Sequence, residues 1–213
     1  MHGFPAATLL LIIVNTLCFL FEQTLNPYAQ EYIIYKYALV PARLHLTSLL
    51  TSMFLHGGWM HLIGNMWFLW VFGSRVEDTM GPAKFIAYYL LSGLTAAIVH
   101  LSLNFGSHVP TLGASGAIAG VMGGFLLLYP KARIVTVVFI LVFLTTIELP
   151  AVILLLYWFA LQLFSGLVSF SRMSLTDAGG VAWFAHVGGF LAGMLLLSLF
   201  GGTSRRSSYE YRY

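Results

Sequence analysis

Long apolar stretches separated by short polar segments occupy most of the chain. Because an α-helix needs about 20 apolar residues to cross the hydrocarbon core of a bilayer, such stretches indicate transmembrane helices. Six of them fit this description, and they cover approximately residues 6–22, 56–73, 83–104, 115–129, 150–169 and 183–200. We therefore predict an all-α fold, a polytopic membrane bundle of six transmembrane helices that forms a single domain over residues 1–213.

Two other segments do not match a straight crossing. Residues 23–55 combine prolines and charged residues with several tyrosines, a mixture typical of a loop at the membrane interface. Residues 134–148 are apolar, but as a helix they would extend only about 22 Å, short of the roughly 30 Å hydrocarbon core. We expect residues 134–148 to dip into the cytoplasmic side of the membrane, or to pack there, without crossing it.

The positions of lysine and arginine orient the predicted bundle. Six spans place both termini on one side, and that side then receives seven of the ten Lys and Arg residues. The positive-inside rule assigns the richer side to the cytoplasm, so both termini are predicted to be cytoplasmic. A seventh span through residues 134–148 would leave five on each side and remove this bias.

The composition excludes several classes of protein. Only 8% of the 213 residues are charged and 59% are hydrophobic, whereas about a quarter of the residues in a soluble domain are charged. The net charge of +3 is small and no basic stripe alternates with aromatic residues, so no nucleic-acid partner is expected. We expect a multi-pass integral membrane protein of a cell membrane, plasma or inner, surrounded by the lipid bilayer.

The first apolar stretch and the single cysteine set two further limits. No Lys or Arg precedes residues 6–21 and no small-x-small cleavage pattern follows them, so we expect a retained first span rather than a removable signal peptide. Cys18 is the only cysteine, which excludes a disulfide or a multi-cysteine metal site within this chain.

Polar residues inside the predicted spans are candidates for chemistry, because a bilayer makes them costly. The second span contains His56-x4-His61-x3-Asn65, the fourth opens at Ser115 and the last contains His186. With six spans, these three helices all run from the outer to the inner face, so these residues lie at one depth toward the outer leaflet. A serine, a histidine and further hydrogen-bond donors at one depth are what acyl transfer requires.

Glycine patterns predict how the serine and histidine helices approach each other. A nucleophile and its base must come within about 3 Å, which requires close packing of the two backbones. Gly116-x3-Gly120 on the fourth helix and Gly189-x3-Gly193 on the last helix are small-x3-small faces suited to such packing.

Each of these features alone also has a purely structural interpretation. Gly-x3-Gly often serves packing only, and a serine in a glycine-rich helix commonly bonds its own backbone. A haem or metal site using His56, His61, His100 and His186 is another alternative, but the His-Glu-x2-His zinc motif is missing. We therefore predict no metal and no cofactor. An aspartyl intramembrane protease is excluded because no predicted span contains an aspartate.

Taken together, three motifs resemble those of the rhomboid family of intramembrane serine proteases. They are His56-x4-His61-x3-Asn65, Gly113-Ala114-Ser115-Gly116 and Ala185-His186-x2-Gly189-x3-Gly193, in the family's order across residues 56–193. The resemblance implies a serine endopeptidase that cleaves transmembrane segments of single-span membrane proteins. The alternative is a non-catalytic rhomboid-like protein that binds or chaperones membrane clients, although such relatives usually lack the serine or the histidine.

The resemblance also implies a role for each matching residue. Ser115 would be the nucleophile and His186 its base, with no carboxylate to complete a triad. The backbone N–H of Ser115 and the side chains of His61 and Asn65 would hold the oxyanion. His56 would bond the loop before its helix. The other matching positions would also be structural: Gly113, Gly116, Gly189 and the acidic Glu77.

The chain departs from the family pattern at two places. Ala119 stands where many relatives carry an aromatic residue packed on the catalytic histidine, so what orients the His186 ring is left open. Thr47 and Ser48 stand where some relatives place a Trp-Arg pair, so the first loop is expected to be anchored differently.

Hydrolysis requires water, so the site is expected to open to a polar cavity near the outer face. Loop 170–182, with Gly179-Gly180 just before the last helix, is predicted to be its flexible cap. Asp177 in this loop is predicted to be solvated rather than to orient His186.

Overall fold

The computed structural model describes residues 3–140, 143–172 and 182–200, and within these ranges the regular secondary structure consists of helices and one pair of β-strands. The hairpin strands are β1 (Arg133–Ile140) and β2 (Phe143–Pro150). Short helical turns of other types cover Pro41–Arg43, Ser52–Phe54, Leu69–Gly73 and Leu197–Phe200. The α-helices are α1 (Ala6–Thr24), α2 (Pro27–Tyr37), α3 (Ser48–Thr51), α4 (Trp59–Phe68), α5 (Ser74–Met80), α6 (Pro82–Leu103), α7 (Ser115–Leu128), α8 (Ala151–Arg172) and α9 (Trp183–Leu196).

A helix lies at each of the six predicted apolar stretches. Helices α1, α6 and α8, and α9 together with the turn Leu197–Phe200 that continues it, are long and apolar enough to cross a membrane, and α7 is a shorter apolar helix. The second stretch has a wide π-turn at its middle, since α4, Leu69–Gly73 and α5 follow one another with helical backbone angles at both junctions. The chain is therefore a multi-pass integral membrane protein.

The segment predicted as an interfacial loop contains helix α2. Asn26 begins this helix by accepting the backbone N–H of Ala29 on its side-chain oxygen at 2.9 Å. No residue of α2 is buried, and the Lys36 ammonium lies 5.6 Å from the centroid of the Tyr32 ring. Exposed aromatic and cationic side chains on one short helix are what a helix at the membrane interface presents.

Residues 134–148 lie in the antiparallel hairpin, and here the structure departs from the predicted all-α fold. Arg133 pairs with Pro150 at one end of the strand pair, and Ile140 pairs with Phe143 at the other. Valine, isoleucine and threonine make up most of β1, and β2 contains two threonines and one isoleucine. Such β-branched residues favour strands over helices. Because antiparallel strands bring the chain back toward its starting point, the pairing agrees with a segment that does not cross the membrane, which stays a prediction.

The interior of the protein is centred on α7, which packs between α6 and α9. From Gly116 to Leu126 every residue of α7 is buried. The Tyr88 hydroxyl of α6 lies 2.9 Å from the carbonyl oxygen of Gly120 and 2.8 Å from that of Gly193. One side chain therefore joins the three helices at the point where α7 and α9 meet.

Glu77 of α5 ties the second helical stretch to the start of α1. Its carboxylate accepts the N–H of Ala7 at 2.8 Å and the N–H and hydroxyl of Thr8, both at 2.7 Å. The first N–H groups of a helix lack intrahelical partners and carry partial positive charge, so a carboxylate satisfies both needs. Glu77 thus caps α1 from about 70 residues away in the sequence.

Candidate active site

Ser115 lies at the start of α7 and is positioned by the glycine two residues before it. Gly113 donates its N–H to the carbonyl oxygen of Ser52 at 2.9 Å. The φ angle of Gly113 is +124°, and a Cβ atom there would lie only 2.7 Å from Cε1 of His61. Only glycine fits both this backbone angle and this contact. The Gly113 position therefore brings the His61 ring against the segment that leads into Ser115.

Helices α7 and α9 contact each other through the two predicted glycine faces. A Cβ atom at Gly189 would lie 2.1 Å from the carbonyl oxygen of Gly116, and one at Gly193 would lie 1.9 Å from that of Gly120. Both distances are far inside van der Waals contact, so the backbones touch where side chains would otherwise separate them. The close approach predicted from the Gly-x3-Gly spacing is present.

This approach brings the predicted nucleophile and base together. Nε2 of His186 lies 2.7 Å from Oγ of Ser115, which is hydrogen-bonding distance for a hydroxyl donating to a bare ring nitrogen. The two residues are 71 positions apart in the sequence, and His186 is 8% exposed. The contact joins the first residue of α7 to the first turn of α9.

The other ring nitrogen of His186 is bonded to a residue that the sequence analysis did not select. Nδ1 lies 2.6 Å from Oε1 of Gln162 on α8, and the Trp158 ring lies against the imidazole with centroids 5.8 Å apart. These two contacts orient the His186 ring, although position 119 carries an alanine and not an aromatic residue. The signal was a glutamine inside a predicted span, because amides there need a reason as much as histidines do.

The predicted oxyanion donors line the same cavity as Ser115. His61 and Asn65, four residues apart on one face of α4, both border it. Asn65 is 7% exposed, and its Nδ2 donor has no hydrogen-bond partner among the described residues. The N–H of Ser115 belongs to the first turn of α7, where backbone donors lack intrahelical acceptors. A buried amide donor left unpaired in a cavity is available to a developing negative charge.

The bonding of the preceding loop by His56 stays a prediction. The His56 ring is 2% exposed and packs against the His61 ring, with centroids 5.2 Å apart. The loop is also held by Thr51, which donates its hydroxyl to the carbonyl oxygen of Tyr37 at 2.8 Å.

A cavity of about 700 Å³ opens over the serine and histidine. Its walls are mostly apolar and come from α4, α7, α8 and the segment before α7, and the polar groups facing it include the site residues. Ligand sites are commonly apolar clefts of this size with a few convergent polar groups. Its lining residues include Phe68, Leu112, Ile118, Met122 and Trp158.

His100, another histidine considered as a metal ligand, is bonded to a side chain of the protein. Nε2 of His100 is 2.9 Å from the hydroxyl of Thr111, which accounts for that histidine as a packing residue. No group of three or more His, Cys, Asp or Glu side chains is placed to hold a metal ion within residues 3–140, 143–172 and 182–200. Asp177 and residues 173–181 of the predicted cap lie outside the described residues, and residues 170–172 belong to α8 rather than to the predicted loop, which was wrong there.

Comparison with known proteins gives a match to a family model described as the rhomboid domain over residues 43–202. The chain is 32% identical over 116 residues to rhomboid protein 1, mitochondrial, of Saccharomyces cerevisiae, covering 53% of this chain and 33% of that protein. It is 34% identical over 148 residues to RHOMBOID-like protein 6, mitochondrial, of Arabidopsis thaliana, covering 70% of this chain and 41% of that protein. It is 33% identical over 120 residues to presenilin-associated rhomboid-like protein, mitochondrial, of Mus musculus, covering 55% of this chain and 32% of that protein.

These matches bear on length and location. The aligned part spans about a third to two fifths of the length of these relatives. Because the names of all three include the word mitochondrial, the expectation of a plasma or inner cell membrane is not supported.

Proposed function

Because this chain belongs to the rhomboid family, we propose that it is an intramembrane serine endopeptidase that cleaves transmembrane segments of membrane proteins. Ser115 is the nucleophile and His186 is its base. The observation that carries this proposal is the 2.7 Å contact between Oγ of Ser115 and Nε2 of His186 at the floor of an open cavity. Nucleophile and base within hydrogen-bond reach, with the base held by a third group, is the arrangement expected of covalent catalysis.

The chemistry follows from that contact. Oγ of Ser115 attacks the scissile carbonyl carbon while its proton moves to Nε2 of His186. The carbonyl oxygen becomes an oxyanion, and the Ser115 N–H and the side chains of Asn65 and His61 donate hydrogen bonds to it. The C–N bond then breaks as the imidazolium returns the proton to the leaving amine. Water attacks the resulting acyl ester by the same route and restores the serine.

Water reaches this site through the cavity. The 14 residues of α7 extend about 21 Å, less than the roughly 30 Å hydrocarbon core, so the helix leaves room for an aqueous depression above Ser115. The substrates are single-span membrane proteins whose helices unwind easily, with small side chains at the cut.

The topology that accompanies this function has six spans with both termini in the cytoplasm. It is supported by helices at all six apolar stretches, by the hairpin's return and by the excess of Lys and Arg on one side. In this topology α4, α7 and α9 all begin at the outer face, which brings His61, Ser115 and His186 to one depth. A cysteine at Ser204 in a Cys18→Ala background, tested with a membrane-impermeant thiol reagent, should be shielded from the outer face. Labelling from that face would overturn the topology.

The proposed activity is tested by a fluorophosphonate, which reacts with an activated serine, together with cleavage of a single-span substrate. The wild-type protein should be labelled and should cut the substrate, while Ser115→Ala and His186→Ala should do neither. Ser198→Ala is the matched control, because Ser198 is exposed and its hydroxyl only donates to the carbonyl oxygen of Leu195 at 3.0 Å. EDTA should leave the rate unchanged.

Two results would contradict the proposal. Full activity in Ser115→Ala or His186→Ala would remove these residues from the mechanism. A folded wild-type protein that binds single-span proteins but neither labels nor cuts would indicate the non-catalytic, client-binding alternative instead.

A further inference from the structure

The imidazole of His186 is held at both nitrogens, and only one of them faces the serine. Nε2 contacts Oγ of Ser115 at 2.7 Å, and Nδ1 contacts Oε1 of Gln162 at 2.6 Å. Gln162 is 7% exposed and lies on α8, a helix with many exposed apolar side chains. A long, flexible amide that is buried on such a helix and directed at one ring atom has a defined partner rather than a general packing role.

The identity of the contacting atom decides which nitrogen carries the proton. A neutral imidazole has one N–H donor and one bare acceptor nitrogen. The amide oxygen of Gln162 can only accept, so the proton lies on Nδ1 and is donated to Oε1. Nε2 is then bare and can take the proton of Ser115. The opposite tautomer would place an N–H against the serine hydroxyl and would have no capacity to act as a base.

We infer that Gln162 is a positioning residue that fixes the tautomer and the ring orientation of His186, in the place that a carboxylate occupies in a Ser-His-Asp triad. This inference rests on the proposed proteolytic function. Such an orienting partner matters because a base with the wrong tautomer cannot accept the nucleophile's proton. Gln162 differs from a triad carboxylate in being neutral, so it adds no charge to the membrane interior while its carbonyl dipole still favours the imidazolium that forms.

The contact that orients the His186 ring comes from α8 and not from position 119 of α7. Ala119 on α7 offers only a methyl group, and it is 0% exposed. Trp158 lies four residues before Gln162, so both side chains project from the same face of α8 toward His186. Trp158 also lines the cavity. A single helix face therefore contributes both a wall of the substrate cavity and the orienting contact of the base.

The kinetic test compares Gln162→Met, which removes the acceptor at similar volume, with Gln162→Glu, which keeps it. We expect Gln162→Met to lower kcat by about ten-fold with KM within about two-fold, as for the loss of one hydrogen bond that acts through the base. Gln162→Glu should stay within about three-fold of wild type. Leu161→Met on the same helix, at a 43% exposed position, is the control and should behave as wild type. Rates are normalised to the fraction of protein that remains folded.

A spectroscopic measurement reads the tautomer directly. In protein carrying ¹⁵N-labelled histidine, the His186 signals, assigned by their loss in His186→Ala, should show the proton on Nδ1 in wild type and a mixture of tautomers in Gln162→Met. A wild-type kcat in Gln162→Met, a change in KM alone, or an Nε2-protonated wild type would each overturn the inference. These outcomes differ from failure of the proposed function, in which the wild-type protein itself would neither cleave a substrate nor react with the fluorophosphonate.

Discussion

Replacing Gly193 by alanine tests whether helix contact sets the catalytic distance. The added Cβ would lie 1.9 Å from the carbonyl oxygen of Gly120, 2.5 Å from its carbonyl carbon and 2.6 Å from its Cα. All three atoms belong to backbone, so no side chain can rotate away to make room. Helix α9 must therefore move away from α7.

The size of this movement follows from the contact distances. Ordinary van der Waals contact begins near 3.4 Å, so the helices must separate by about 1.5 Å at Gly193. His186 lies seven residues earlier, about 10 Å along the helix and on the same face. A rigid shift would open its 2.7 Å contact with Ser115 to about 4 Å, beyond hydrogen-bond range. A misplacement of about 1 Å can lower the rate by about 10²-fold, and overpacking costs about 1–3 kcal/mol of stability.

The assay is the rate of fluorophosphonate labelling at Ser115, with thermal unfolding of the detergent-solubilised protein measured in parallel. Gly193→Ala should label about 10²-fold more slowly than wild type while remaining largely folded. Leu195→Ala, two residues later on the same helix and 76% exposed, should label at the wild-type rate. Wild-type labelling by folded Gly193→Ala would refute the claim that the glycine contact sets the Ser115–His186 distance.

Three further substitutions test other parts of the structure. Asn65→Ala should lower kcat by about 10²–10³-fold with little change in KM, because it removes an unpaired cavity donor; a rise in KM alone would argue against an oxyanion role. Glu77→Ala should destabilise the fold by about 2–4 kcal/mol, because it leaves three donors at the start of α1 unpaired. Thermal or denaturant unfolding measures this loss. Glu31→Ala on the exposed face of α2 is the charge-matched control, and an equal loss of stability in both variants would contradict the capping role. Tyr88→Phe should cost about 1 kcal/mol in the same assay because it removes the hydroxyl between α7 and α9; no greater loss than in Tyr157→Phe, at a 65% exposed position, would show that this bridge adds no stability.

The local and periodic features of this protein were readable in its sequence. Apolar stretches of near-membrane length predicted helices at six places because the backbone in lipid must satisfy its own hydrogen bonds. The Gly-x3-Gly spacings predicted the α7–α9 contact because two glycines four residues apart expose backbone on one helix face. Ser115 and His186 could be selected because polar groups are rare in such helices, and their common depth, together with the glycine faces, suggested that they meet.

The contacts that cross between helices were decided only by the tertiary structure. Residues 133–150 form a short, mostly apolar segment. The sequence of such a segment does not by itself show whether it folds as a buried helix or as a pair of strands, and the hairpin was therefore missed. Glu77 lies far from α1 along the chain, and no local pattern shows which helix start it caps. Gln162 reaches His186 across 24 residues and from a different helix. The packing of the whole bundle decides which face of α8 contacts α9. The membrane cannot select that face, because lipid is as apolar as the helix surface.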